Sequence, residues 1–106
     1  MTAQLEFPTV DEVCALVVGD PVHEREREAV VAAIRSDAAA NDGHVDPNRV
    51  RELVPAWVGP RVVSATYNAL RTRRLLIPAG WTTNTDRRGR NVGKPIRTYT
   101  WRGEAA

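Results

Sequence analysis

Residues 83–94, Thr-Asn-Thr-Asp-Arg-Arg-Gly-Arg-Asn-Val-Gly-Lys, hold Arg87, Arg88, Arg90 and Lys94, with Gly89 and Gly93 among them. Val92 is the one side chain in this stretch suited to a core. Arginine is always charged, and its planar fork matches phosphate oxygens and the guanine edge. A second concentration of chemistry lies at 60–74. At 100° per residue, Arg61, Ser64, Ala65, Asn68, Arg71 and Thr72 fall on one side of a helix, and Val62, Val63, Thr66, Tyr67, Ala69 and Leu70 on the other. The polar stripe combines small residues, an asparagine able to pair with adenine, and arginines able to meet guanine or phosphate. No acid occurs from Val54 to Thr85, so nothing on this helix opposes an approach to phosphates. Arg97, on the strand leaving the basic segment, joins the set. The plainer alternatives are a solvated helix face and a solubilising loop.

Other chemistry is poorly represented. His23 and His44 are isolated, and the single cysteine, Cys14, sits on an apolar stripe. No CxxC, HExxH or DxD spacing suggests a metal, and no GxxxxGK[ST] or GxGxxG suggests a nucleotide. The acids of the basic half, Asp46, Glu52, Asp86 and Glu104, are too scattered for a two-metal carboxylate cluster. The expectation is a protein that is not an enzyme and needs no cofactor or metal. Trp57, Trp81 and Trp101 are expected to pack in the core and hairpin rather than to stack on bases.

The elements that would position these residues follow from punctuation and period. Residues 1–8 are expected to be a tail. Thr9-Val10-Asp11-Glu12 is a capping box, Val10, Val13, Cys14 and Val17 follow at helical spacing, and Gly19 stops that helix. Asp20-Pro21 opens a second helix, running to about Ala40, with Ala29, Val30, Ala33 and Ile34 inward and the EREREA run as a solvated face. Asn41-Asp42-Gly43 turns the chain into a short strand at 43–45. Asp46-Pro47 starts a helix over about 47–54 with Val50, Leu53 and Val54 inward, ended by Pro55. Pro60 opens the helix at 60–74. Residues 76–82 form a strand with Ile77, Ala79 and Trp81 on one face, and 96–102 a second strand with Tyr99 and Trp101 sharing a face. The basic segment, about 84–95, is then a flexible hairpin tip. Two capped starts around one short helix describe a helix-turn-helix.

With 106 residues the chain fits one core, and 42% hydrophobic with 26% charged residues suits a packed domain. Residues 1–43 carry nine acids against three bases, while residues 44–106 carry twelve bases against four acids, a swing from −6 to +8. That asymmetry points the second half at a polyanion; the plainer alternative is two surfaces that attract each other. No apolar run reaches membrane-spanning length, no secretory signal is evident, and the cysteine count suits a reducing compartment, so a cytoplasmic location is expected.

The order helix, helix, short strand, helix, turn, helix, strand, basic loop, strand resembles the winged helix-turn-helix superfamily over about residues 21–102. Val63, Tyr67, Leu70 and Leu75-Leu76-Ile77 look like that superfamily's recognition helix entering its first wing strand, although Arg74 stands where many members have glycine. VDPNRVREL (45–53) and GWTTNTDRRGRNVGKPIRTYTWR (80–102) are similar to small winged-helix proteins of bacteriophages and prophages of GC-rich bacteria. In these, a threonine and a Gly-Arg pair, here Thr85 and Gly89-Arg90, precede an aromatic strand, here Tyr99 and Trp101. The resemblance implies a mostly α, α+β winged helix over 20–103, with residues 1–19 as a tail and accessory helix. It also implies binding of double-stranded DNA, most simply for transcription regulation or an architectural role. Helix 60–74 would enter the major groove and the loop at 84–95 would lie on backbone or minor groove. The helix at 9–18 is a candidate dimer element or a cap on its own core. The alternative function is a protein-docking module that engages a host or phage protein through the acidic N-terminal half.

Overall fold

A computed structural model describes residues 23–103, arranged as three helices and a three-stranded antiparallel sheet. The expected tail, the helix at 9–18, Cys14 and the Asp20-Pro21 start lie outside the described residues. Helix α1 spans Glu24–Ala40. Its buried side chains Val30, Val31, Ile34 and Ala38 follow the helical period and form the centre of the core with Val45, Val50, Leu70, Leu75, Leu76 and Tyr99. Each large aliphatic fully buried there contributes roughly 1.5–3 kcal/mol.

The EREREA run is only in part the solvated face that its alternating charges suggest: Glu24, Arg25 and Glu28 are exposed, but Glu26 and Arg27 are not. Arg27 is only 3% exposed. Glu26 is half-buried and accepts the Gly59 N–H at 2.7 Å, so its carboxylate ties α1 to the start of a later helix. Asn41-Asp42-Gly43 turns as expected. Asp42 at φ 56° and Gly43 at φ 86° lie in the left-handed region, and the Gly43 N–H returns to the Ala38 carbonyl at 2.8 Å.

Strand β1 (His44–Val45) leads directly into α2 (Pro47–Leu53). Asp46 caps α2 by accepting from the Asn48 N–H at 2.8 Å, and Pro47 occupies the first turn, where its missing N–H costs nothing. Val50 points inward, but Leu53 is 49% exposed, against expectation. Helix α2 stops a residue short of the expected end, and Val54 turns extended ahead of Pro55.

Helix α3 covers Pro60–Thr72, two residues shorter than the expected 60–74. Arg74 adopts φ 61°, the conformation that glycine takes most easily, and the Leu75 N–H reaches the Leu70 carbonyl at 2.9 Å. Leu70 and Leu75 are both buried, so an apolar contact locks this helix end.

Strands β2 (Leu76–Thr83) and β3 (Pro95–Trp101) form the long hairpin, and the sheet order is β1-β3-β2. The register pairs Leu76 with Trp101 and Pro78 with Tyr99, then slips at Ala79, so that Gly80 faces Thr98 and Trp81 faces Arg97. The extra residue inverts the faces beyond it. Ile77 and Trp81 therefore lie on opposite faces, correcting the expected shared face. Trp81 is 63% exposed and Trp57 is 59% exposed, so neither packs in the core; Trp101 does pack against it. Among the described residues, no helix is long and apolar enough to cross a membrane.

Candidate functional site

Helix α3 has a buried side and an open side. Thr66 and Leu70 are buried, and Val62, Val63 and Tyr67 pack against the core. The Thr66 hydroxyl is satisfied by donating to the Val62 carbonyl at 2.7 Å. Tyr67 sits 5.9 Å from Tyr99, ring to ring, and burial pushes its phenol pKa up, keeping it neutral. On the open side Arg61, Ser64, Asn68, Arg71 and Thr72 are exposed, and Ala65 is half-buried. Among the described residues, none of the five is buried in the core, and the stripe stands open.

The 84–95 segment departs from the flexible tip that its composition suggests. Its stem is held by two side chains of α2. Asn48 donates through Nδ2 to the Thr83 carbonyl at 2.8 Å, and its Oδ1 accepts from the Thr85 N–H at 3.1 Å and the Thr85 hydroxyl at 3.2 Å. Arg51 donates to Asn84 Oδ1 at 3.2 Å and to the Asn48 amide oxygen at 3.2 Å. Asn84 is buried and its Oδ1 also accepts the Asp86 N–H at 2.8 Å. Asp86 then accepts the Gly89 N–H at 3.0 Å, and that bond first, with Arg51 and Asn91 nearby, holds its carboxyl below the usual carboxylate range. A Cβ at Gly89 would meet the Asp86 carboxylate, which would have to swing aside and give up the Gly89 N–H. Arg87, Arg88, Arg90 and Lys94 are all exposed, Lys94 at the base of the loop, where its carbonyl accepts the Asn84 N–H at 2.8 Å.

An open cleft of about 390 Å³ lies between α2 and this loop, lined by Asn48, Arg49, Arg51 and Glu52 on one wall and Arg87 and Arg88 on the other. Arg49 is engaged elsewhere. Its Nε donates to Asp37 at 2.7 Å and its Nη2 at 3.2 Å, a pairing that raises its pKa further. Asp37 also accepts from the Asp46 N–H at 2.9 Å and from Asn41 Nδ2 at 3.1 Å. This buried carboxylate fixes the junction of α1, β1 and α2, and hence the angle at which α2 holds the loop.

Arg97 stands apart from the other candidates. Its guanidinium lies over the Trp81 indole, 4.3 Å from the ring centre, on the hairpin stem. The structure thus groups the ten proposed contact residues into three sets: the α3 stripe, the tip cations and the stem arginine. Among the described residues, the loop stem is hydrogen-bonded to α2 through Asn48 and Arg51. Asn48, Arg51 and Asp37 escaped sequence reasoning. The spacing of Asn48 and Arg51, three apart on a helix, does place them on one face, but their partners lie some 35 positions away and leave no local signal. Among the described residues, no group of three His, Cys, Asp or Glu side chains could hold a metal ion. Comparisons of the chain with protein-family models, curated proteins and solved structures return no match.

Proposed function

We propose that this chain is a winged helix-turn-helix protein that binds double-stranded DNA and catalyses no reaction. In this reading α2 and α3 are the helix-turn-helix, α3 lies in the major groove, and the β2–β3 loop is a wing on the phosphate backbone or minor groove. One observation carries it: among the described residues, the side of α3 turned away from the core is exposed, free of acid, and made of Arg61, Ser64, Asn68, Arg71 and Thr72. The N-terminal half of a helix usually leads into the groove, which gives base readout to Arg61, Ser64 and Asn68. Arg87, Arg88, Arg90 and Lys94, on an anchored but projecting loop, suit phosphate contact. The anchoring by Asn48 and Arg51 supports this division, because a held tip spends less entropy when it docks. Regulation of transcription is the simplest use of such an interface.

The test is Asn68→Ala and Arg61→Ala, each scored by thermal melting and by selection from random DNA sequences. Both side chains are exposed, so the melt should stay within about 0.5 kcal/mol of the parent. Each lost bidentate contact should remove roughly 1–3 kcal/mol of base discrimination. A large drop in melting temperature, or an unchanged sequence preference, contradicts the assignment and favours a protein partner on this face.

A further inference from the structure

Trp81 is unusual in its setting. It lies on β2, an edge strand of the sheet, paired across from Arg97. The guanidinium covers one face of the indole at 4.3 Å, while 63% of the residue stays open to solvent. The stacked arginine covers one face of the ring and leaves the other open to a further stacking partner. Thr83 and Pro95, the next cross-strand pair on this face, are exposed as well and leave the approach clear. Arg87, Arg88, Arg90 and Lys94 extend from the same hairpin with Asp86 as the one acid between the strands.

We infer that the Trp81–Arg97 pair is a stacking platform for an unpaired nucleobase, and that the hairpin binds single-stranded DNA. An exposed aromatic ring beside a line of cations is the arrangement that single strands use: the base stacks on the ring and the backbone follows the charge. Charge complementarity selects this occupant. A peptide adding a strand to β2 would meet Pro78, which lacks an N–H, and the slip at Ala79, both of which blunt an edge. This inference goes beyond duplex binding through α3 and does not depend on it.

The experiment titrates the full chain with a labelled oligothymidylate of about twelve nucleotides and, in parallel, with a random duplex, at about 50 mM salt. The parent should bind the oligothymidylate with quenching of tryptophan fluorescence. Trp81→Ala should weaken that binding about 10–100-fold, with duplex affinity within about twofold and an unchanged melt. Trp81→Phe keeps an aromatic face and should retain most of the affinity. Trp81→Leu keeps apolar bulk without the face and should lose as much as alanine, a comparison that holds even if the alanine variant folds poorly. No binding of the oligothymidylate by the parent overturns the inference, as does leucine matching phenylalanine, or equal loss on duplex and single strand. Single-strand binding without duplex binding would leave the platform standing and remove the duplex reading.

Discussion

Asp37 illustrates how much of this surface depends on one buried side chain. It is 3% exposed and accepts from the Asp46 N–H, from Asn41 and twice from Arg49. Asp37→Ala leaves the Asp46 N–H without its partner and removes two of the bonds of Arg49, which keeps His44 and Asp46 nearby. Arg49 is partly exposed and regains water, so the expected loss is roughly 2–4 kcal/mol rather than more, read as a lower urea midpoint. Glu26 supplies a second test. The Gly59 N–H first, and then His23, hold its carboxyl below the usual range. A carboxylate whose pKa is depressed by folding stabilises the fold above its unfolded pKa, and that contribution disappears as pH falls through the folded value. Glu26→Gln should therefore melt below the parent at neutral pH, and the gap should close as pH drops below the carboxylate range. A gap independent of pH would show that the charge contributes nothing.

At the scale of elements, the loop and α2 act together. Replacing Arg87, Arg88 and Arg90 with alanine should weaken binding to every duplex and flatten the salt dependence by about two to three units of slope, near 0.9 per phosphate lost. Asn48→Ala removes the Asn48 half of the clamp and no charge, so it should lower affinity while leaving the slope in place. If the triple variant binds like the parent, the loop does not touch DNA. Element identity was legible in the sequence because caps and prolines mark helix starts: Asp46-Pro47 and Pro60 stand at the observed starts of α2 and α3. The two faces of α3 were legible too, since its apolar positions repeat at the helical period. The faces of β2 were not. Ile77, Ala79 and Trp81 are spaced by two and imitate one face, and nothing in Pro78-Ala79-Gly80 announces the slip that separates them. The buried Arg27 and the clamping Asn48 were hidden for another reason: a polar residue's burial depends on distant partners, and no local pattern encodes those.

For the whole molecule the governing fact is the uneven charge, nine acids in residues 1–43 and twelve bases in residues 44–106. Part of the acidic surplus is consumed inside the fold, since Glu26 and Asp37 serve internal bonds. Arg87, Arg88, Arg90 and Lys94 and the open face of α3 are exposed instead, which favours a polyanion as their partner. Contact with about four to six phosphates would release that many counterions. The most direct test is a titration of random duplex DNA over a range of salt concentrations. The account predicts binding at about 50 mM salt, with log K falling against log salt at a slope of roughly −4 to −5. A flat response, or no binding at the lowest salt, would contradict it.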